Sequence, residues 1–148
     1  VNLSSPTTGA TLAYSSGLGT ITDNDPPPTL TISDASISEA SSGSTTMSFQ
    51  VSLNTVSGKT ITVNYATANG TATAGEDYTA VTSTLTFTPG QTQKTINITI
   101  LGDALYESTE TVLLNLTPNA NVTIPDTQAV GTIQDNDYGL MLPFIVKQ

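Results

Sequence analysis

Between Leu30 and Asp137, apolar residues alternate with polar ones, and the alternation stops and restarts at turn signals. Leu30-Thr-Ile32 opens the series, and Met47-Ser-Phe-Gln-Val-Ser-Leu53 and Ile61-Thr-Val-Asn-Tyr65 follow. Leu85-Thr-Phe87, Ile96-Asn-Ile-Thr-Ile100, Val112 to Leu116 and Ala129 to Ile133 complete it. Between them fall Ser42-Gly43, Ser57-Gly58, Asn69-Gly70, Pro89-Gly90 and Pro118-Asn119, all residue pairs that favour turns. No segment carries a helical period. The pattern predicts an all-β fold: a seven-stranded antiparallel sandwich of immunoglobulin-like architecture.

Comparing the ends of the chain adds an internal repeat. Asn2-Leu-Ser-Ser-Pro6 and Gly19-Thr-Ile-Thr-Asp-Asn-Asp25 reappear as Asn115-Leu-Thr-Pro118 and Gly131-Thr-Ile-Gln-Asp-Asn-Asp137. Residues 1–25 therefore read as the last two strands of a preceding, incomplete copy. Pro26-Pro-Pro28 reads as a stiff linker. The main module is expected over residues 29–137. Residues 138–148 form an apolar tail, Leu140 to Val146, which reads as a strand seeking a partner or, equally, as a strand folded back on its own domain or a membrane- or wall-sorting remnant.

Composition supports the strand reading, since 29 of the 148 residues are threonine, a β-branched residue suited to the solvated face of a sheet. Charge narrows the chemistry. Twelve acids face three lysines, with no arginine and no histidine, for a net charge of −9. That balance disfavours nucleic acid and anionic membranes, and no run is long enough for a transmembrane helix. Without His or Cys, ordinary zinc, copper and iron–sulfur sites are excluded, as are catalytic triads and thiol nucleophiles. Paired carboxylates that hydrolyse glycosides need a stacking cleft, but aromatics are 5% of the chain and Trp is absent. The expectation is a protein that is not an enzyme and that takes hard cations through oxygen.

Seven of the twelve acids stand at strand ends or in loops: Glu39, Asp77, Asp103, Glu107, Glu110, Asp135 and Asp137. Loops at alternate junctions of a sandwich gather at one end, so these acids are expected at one pole. Ca²⁺ takes six to eight oxygens, which convergent loops can supply. Asp103-Ala-Leu-Tyr-Glu-Ser-Thr-Glu110 concentrates three acids in one loop, and Asp135-Asn136-Asp137 sets three oxygen donors in succession. Any one acid taken alone reads better as a solvated surface charge.

The stretch from 29 to 137 resembles a Calx-beta domain, a module of sodium–calcium exchangers and of bacterial surface proteins. The matching residues are Ile37-Ser-Glu39 in the first loop, Gly70-Thr-Ala-Thr-Ala-Gly-Glu-Asp-Tyr78 and Leu85-Thr-Phe-Thr-Pro-Gly90. Thr92-Gln-Lys-Thr-Ile96, Asp103 to Glu110 and Gly131 to Asp137 complete the set. The resemblance implies Ca²⁺ ligation by Glu39, Asp77, Asp103, Glu107, Glu110, Asp135 and Asp137, and by the main-chain carbonyl of Leu105. Asn136 replaces an acid and can still ligate through its amide oxygen. Gly102 stands where a further aspartate can occur, so fewer ions and weaker binding are expected.

The leading expectation is a calcium-binding structural module of an extracellular repeat protein or fibre. Its partners would be neighbouring Calx-beta modules or copies of itself, joined head to tail by strand addition into a homopolymer. The Thr-, Ser- and Asn-rich texture points to a bacterial cell surface. A calcium-dependent adhesin or carbohydrate-binding module and a regulatory calcium sensor stand as alternatives.

Overall fold

The computed structural model describes residues 1–4, 8–22 and 24–137. Eight strands are present among them: β1 (Leu30–Ile32), β2 (Ala35–Ser38), β3 (Gly43–Leu53), β4 (Ile61–Asn69), β5 (Thr82–Phe87), β6 (Gln93–Gly102), β7 (Glu110–Ala120) and β8 (Gln128–Gln134). They form two layers, a three-stranded sheet ordered β1-β3-β6 and a five-stranded sheet ordered β2-β8-β7-β4-β5. The expected tail strand within 138–148 lies outside the described residues.

Two expectations need correction. The strand count is eight rather than seven, and the larger sheet is mixed rather than antiparallel. Both differences have one origin: the first strand changes sheets. β1 pairs antiparallel with β3 (Leu30 opposite Leu53), whereas β2 pairs parallel with β8 (Ala35 opposite Gly131). The crossover is at Ser33-Asp34. The Ser33 amide still donates to the Gln50 carbonyl at 3.2 Å, while Asp34 turns its Oδ1 to the Val130 amide at 2.8 Å. Ile37-Ser38, expected in a loop, therefore lies in a strand, and Glu39 follows directly. Pro118-Asn119, expected as a turn, lies within β7, beside an irregularity where Val63 faces Pro118 and Thr62 faces Ala120. A bulge is one of the few places a sheet admits proline.

The alternating pattern lines the space between the sheets. Met47, Phe49 and Val51 of β3 and Ile96, Ile98 and Ile100 of β6 face Val63, Val112, Leu114 and Ile133, all of them buried. Gly131 fits this interior closely. A Cβ there would lie 2.8 Å from Phe49 Cζ and from Val112 Cγ1, and against the Met47 sulfur. At the far end the Leu30 amide donates to the Thr123 carbonyl at 2.9 Å, and the Thr123 amide to the Pro28 carbonyl at 3.0 Å. The proline linker is thereby tied to the connection between β7 and β8.

Filling the Gly131 position should overpack the interface between sheets. Gly131→Ala is expected to destabilise by about 1–3 kcal/mol, read as a lower urea midpoint with an unchanged m-value.

Candidate metal centre

Strand direction decides where the acids go. β2 and β8 run parallel, so Glu39 and Asp135 leave the sheet at the same end. The Glu39 amide fixes the junction by donating to the Gln134 carbonyl at 3.0 Å. β7 is antiparallel to β8, with Glu110 opposite Ile133, so Glu110 enters at that end too. β4 finishes there, with Asn69 opposite Val112, and β6 arrives in the other sheet with Gly102 opposite Gly43.

The β4–β5 loop is held against the start of β7 by reciprocal threonine contacts. The Thr111 amide donates to Thr71 Oγ1 at 2.8 Å, the Thr71 amide to Thr111 Oγ1 at 3.2 Å, and the Ala72 amide to the Thr111 carbonyl at 3.0 Å. From there the loop crosses to the edge of β6, where the Leu101 amide donates to the Asp77 carbonyl at 2.9 Å. Buried Tyr78 anchors it, its hydroxyl donating to Asn69 Oδ1 at 2.7 Å, an oxygen that also accepts from the Ala74 amide at 3.1 Å. Asn69 and Tyr78 thus position Asp77. In the sequence Asn69 reads as a turn residue and as one of several Asn-x-Thr matches, and nothing in an Asn-Gly pair signals a partner nine residues away.

Six of the acids fall into two triads. Carboxylate oxygens of Glu39, Asp135 and Asp137 lie within 4.8 Å of one another, as do those of Asp77, Glu107 and Glu110. Asp135 links the triads, because its Oδ1 accepts from the Asp137 amide at 2.7 Å and its Oδ2 from the Glu107 amide at 2.8 Å. Three further expected positions lie outside both triads. Exposed Asp103 accepts from the Leu105 amide at 2.7 Å, the Leu105 side chain is exposed, and Asn136 Oδ1 accepts from Ser41 Oγ at 3.3 Å.

The electrostatics of the pole are one-signed. Burial, followed by the charges of Glu107, Asp135, Asp103 and Asp137, pushes Glu39 from 4.5 up to about 7. Burial, then the charge and hydrogen bond of Asp77, pushes Glu110 up to about 7. Glu107 is raised by burial, then by Asp77, Asp103 and Asp135. Glu39 is only 7% exposed, and its Oε1 is buried without a hydrogen-bond partner, as is Asp137 Oδ2. Buried anionic oxygens without donors are costly unless a cation meets them. All these donors are oxygens, so the pole fits a hard cation.

The Calx-beta domain family model matches residues 23–137. The chain belongs to the Calx-beta family. Rat sodium/calcium exchanger 1 (Rattus norvegicus) is 35% identical over 79 residues, 53% of this chain and 8% of the exchanger. The dog protein of the same name (Canis lupus familiaris) is 42% identical over 57 residues, 38% of this chain and 6% of the exchanger. This Calx-beta chain thus spans under a tenth of the length of those relatives. Among solved structures, CBD12 from CALX1.2 superposes with a TM-score of 0.65 at 23% identity, covering 74% of this chain and 46% of that one. The apo-form Calx CBD1 domain gives 0.63 at 22%, covering 75% and 99%. These likenesses corroborate the sandwich. They also correct the expected setting: the curated relatives are mammalian ion exchangers, not bacterial extracellular proteins, and the surface assignment drawn from sequence texture is withdrawn.

Gly102, where the family resemblance allows an aspartate, has no room for a side chain here. A Cβ would collide with the Ala40 carbonyl oxygen and lie 2.9 Å from the Ala40 nitrogen. Gly102→Asp should therefore lower the melting temperature without raising cation affinity, checked by paired thermal melts and titrations.

Two carboxyls with raised pKa make stability depend on pH in a definite direction. Between 4.5 and about 7 the folded protein binds more protons at Glu39 and Glu110 than the unfolded chain does. Stability is then highest below that window and falls as pH rises through it. In buffer stripped of divalent cations, the protein should melt at a higher temperature at about pH 5 than at about pH 7.5.

Proposed function

We propose that this Calx-beta chain is a calcium-binding module whose two carboxylate triads hold Ca²⁺ at one pole of the sandwich. The observation carrying the reading is the pair of buried, donorless carboxylate oxygens, Glu39 Oε1 and Asp137 Oδ2, one in each of two residues of the same triad. Glu39, Asp135 and Asp137 would hold one cation, and Asp77, Glu107 and Glu110 another. Asp103, the Leu105 carbonyl and Asn136 are the additional ligands proposed from the family pattern. The cation supplies positive charge where burial and mutual repulsion oppose ionisation. The protein's own contribution is placement: Asp135 orients the neighbouring chain through its two amide contacts, and Tyr78 with Asn69 fixes the Asp77 loop.

The role we favour is structural, with the metal holding several loops in one arrangement. That requires only weak binding, with Kd about 10⁻⁴–10⁻³ M. The exchanger relatives favour a second reading, a calcium sensor, for which Kd is about 10⁻⁷–10⁻⁵ M. A calorimetric titration separates the two.

Binding to the native state alone raises stability by mass action. Free calcium about 100-fold above Kd adds about 2.7 kcal/mol, a rise of about 10 °C in melting temperature for a domain of this size. The rise should disappear with excess EGTA and in Glu39→Gln/Asp135→Asn. An unchanged melting temperature across calcium and chelator would sink the metal reading.

A further inference from the structure

The segment ahead of the proline linker repeats the geometry of the last hairpin of the sandwich. In the domain, Asn115 pairs with Gln128, and the Leu116 amide donates to the Thr127 carbonyl at 2.7 Å. In the N-terminal segment, Asn2 bridges Ser16 antiparallel, and the Leu3 amide donates to the Ser15 carbonyl at 2.7 Å. These are the same positions of the sequence repeat, so register as well as sequence is reproduced. Val1 and Gly17 extend the match, each donating its nitrogen to the other's carbonyl at 3.0 Å.

What differs is the covering. Leu116 is 4% exposed and Ile133 is 3% exposed, whereas their counterparts Leu3 and Ile21 are 57% and 99% exposed. The glycines make the same point from the other side. Gly131 has no room for a Cβ because Met47 and Phe49 of the opposite sheet press on it, while its counterpart Gly19 has nothing within 4 Å. Gly19 keeps the socket without the side chains that occupy it in the domain.

We infer that residues 1–4 and 8–22 belong to the closing hairpin of a second Calx-beta sandwich. Their apolar face takes strands equivalent to β1–β6, carried on polypeptide joined ahead of Val1. The source follows from chain order: in this fold the strands covering β7 and β8 precede them directly. A two-stranded hairpin by itself is marginal in water, so the surface needs that partner to persist. The inference does not depend on the metal.

The test joins a second copy of residues 29–113 directly to Val1 of the full chain, which restores the register of a continuous sandwich. Hydrogen exchange at the Leu3 and Gly17 amides should slow by about 100-fold relative to the unfused chain. Ile21→Asp should abolish that protection in the fusion yet leave the melting of the unfused chain unchanged. A control fusion places residues 29–137, with the domain's own hairpin, ahead of Pro26. Protected Leu116 and Ala129 amides in both copies of the control, with unprotected Leu3 and Gly17 amides in the test fusion, overturn the assignment. Concentration-dependent self-association of the unfused chain that Leu3→Asp removes also overturns it, giving the surface to a second copy.

Discussion

The parallel pairing of β2 with β8 is the constraint on which the acidic pole depends. A strand of four residues adds little ladder by itself, but its direction sets the end at which Glu39 leaves the sheet. Had the first segment continued beside β3 alone, no backbone contact would bring Glu39 to Gln134, and Asp135 and Asp137 would lack their third carboxylate. Asp34 holds the crossover open by capping the Val130 amide, which the new strand would otherwise leave without an acceptor. A short polar side chain outside the acidic pole thus governs the composition of a triad.

At that pole, folding and charge pull against each other. The contacts between Thr71 and Thr111 that fix one loop join backbone amides to threonine hydroxyls and are independent of ionisation, whereas the amides of Glu107 and Asp137 lean on the Asp135 carboxylate itself. The carboxylates themselves are crowded by negative neighbours and raised by burial. This division fits a site built in part before it is filled. The loops supply preorganisation, and the ligand supplies the compensating charge.

Most of the sandwich was legible because period-two alternation reports directly which face of a strand is buried, as at Met47 to Leu53 and Ile96 to Ile100. β2 was not, because Ala35-Ser-Ile-Ser38 offers only two apolar positions, and strand direction leaves no trace in alternation. Pro118 read as a turn because its missing amide usually ends a strand, whereas here a bulge absorbs it. The gathering of acids at one end followed from loop alternation. Their partition into two triads did not, since it rests on the β2 crossover and on the threonine contacts between Thr71 and Thr111. The clash at Gly102 was equally hidden, because a glycine in a strand gives no sign of whose backbone it admits.

The terminal strands also settle how the domain carries load. The chain enters beside Thr123 at one end and leaves the sandwich after Gln134 at the other, and β2 and β8 lie side by side and parallel. A pull on the two ends would load β1 against β3 first and then draw β2 and β8 past each other along their length. The bonds between them resist together in shear instead of opening one at a time. The Glu39, Asp135 and Asp137 carboxylates stand at the downstream end of that pair, so a cation held there would bolt the two sliding strands to each other.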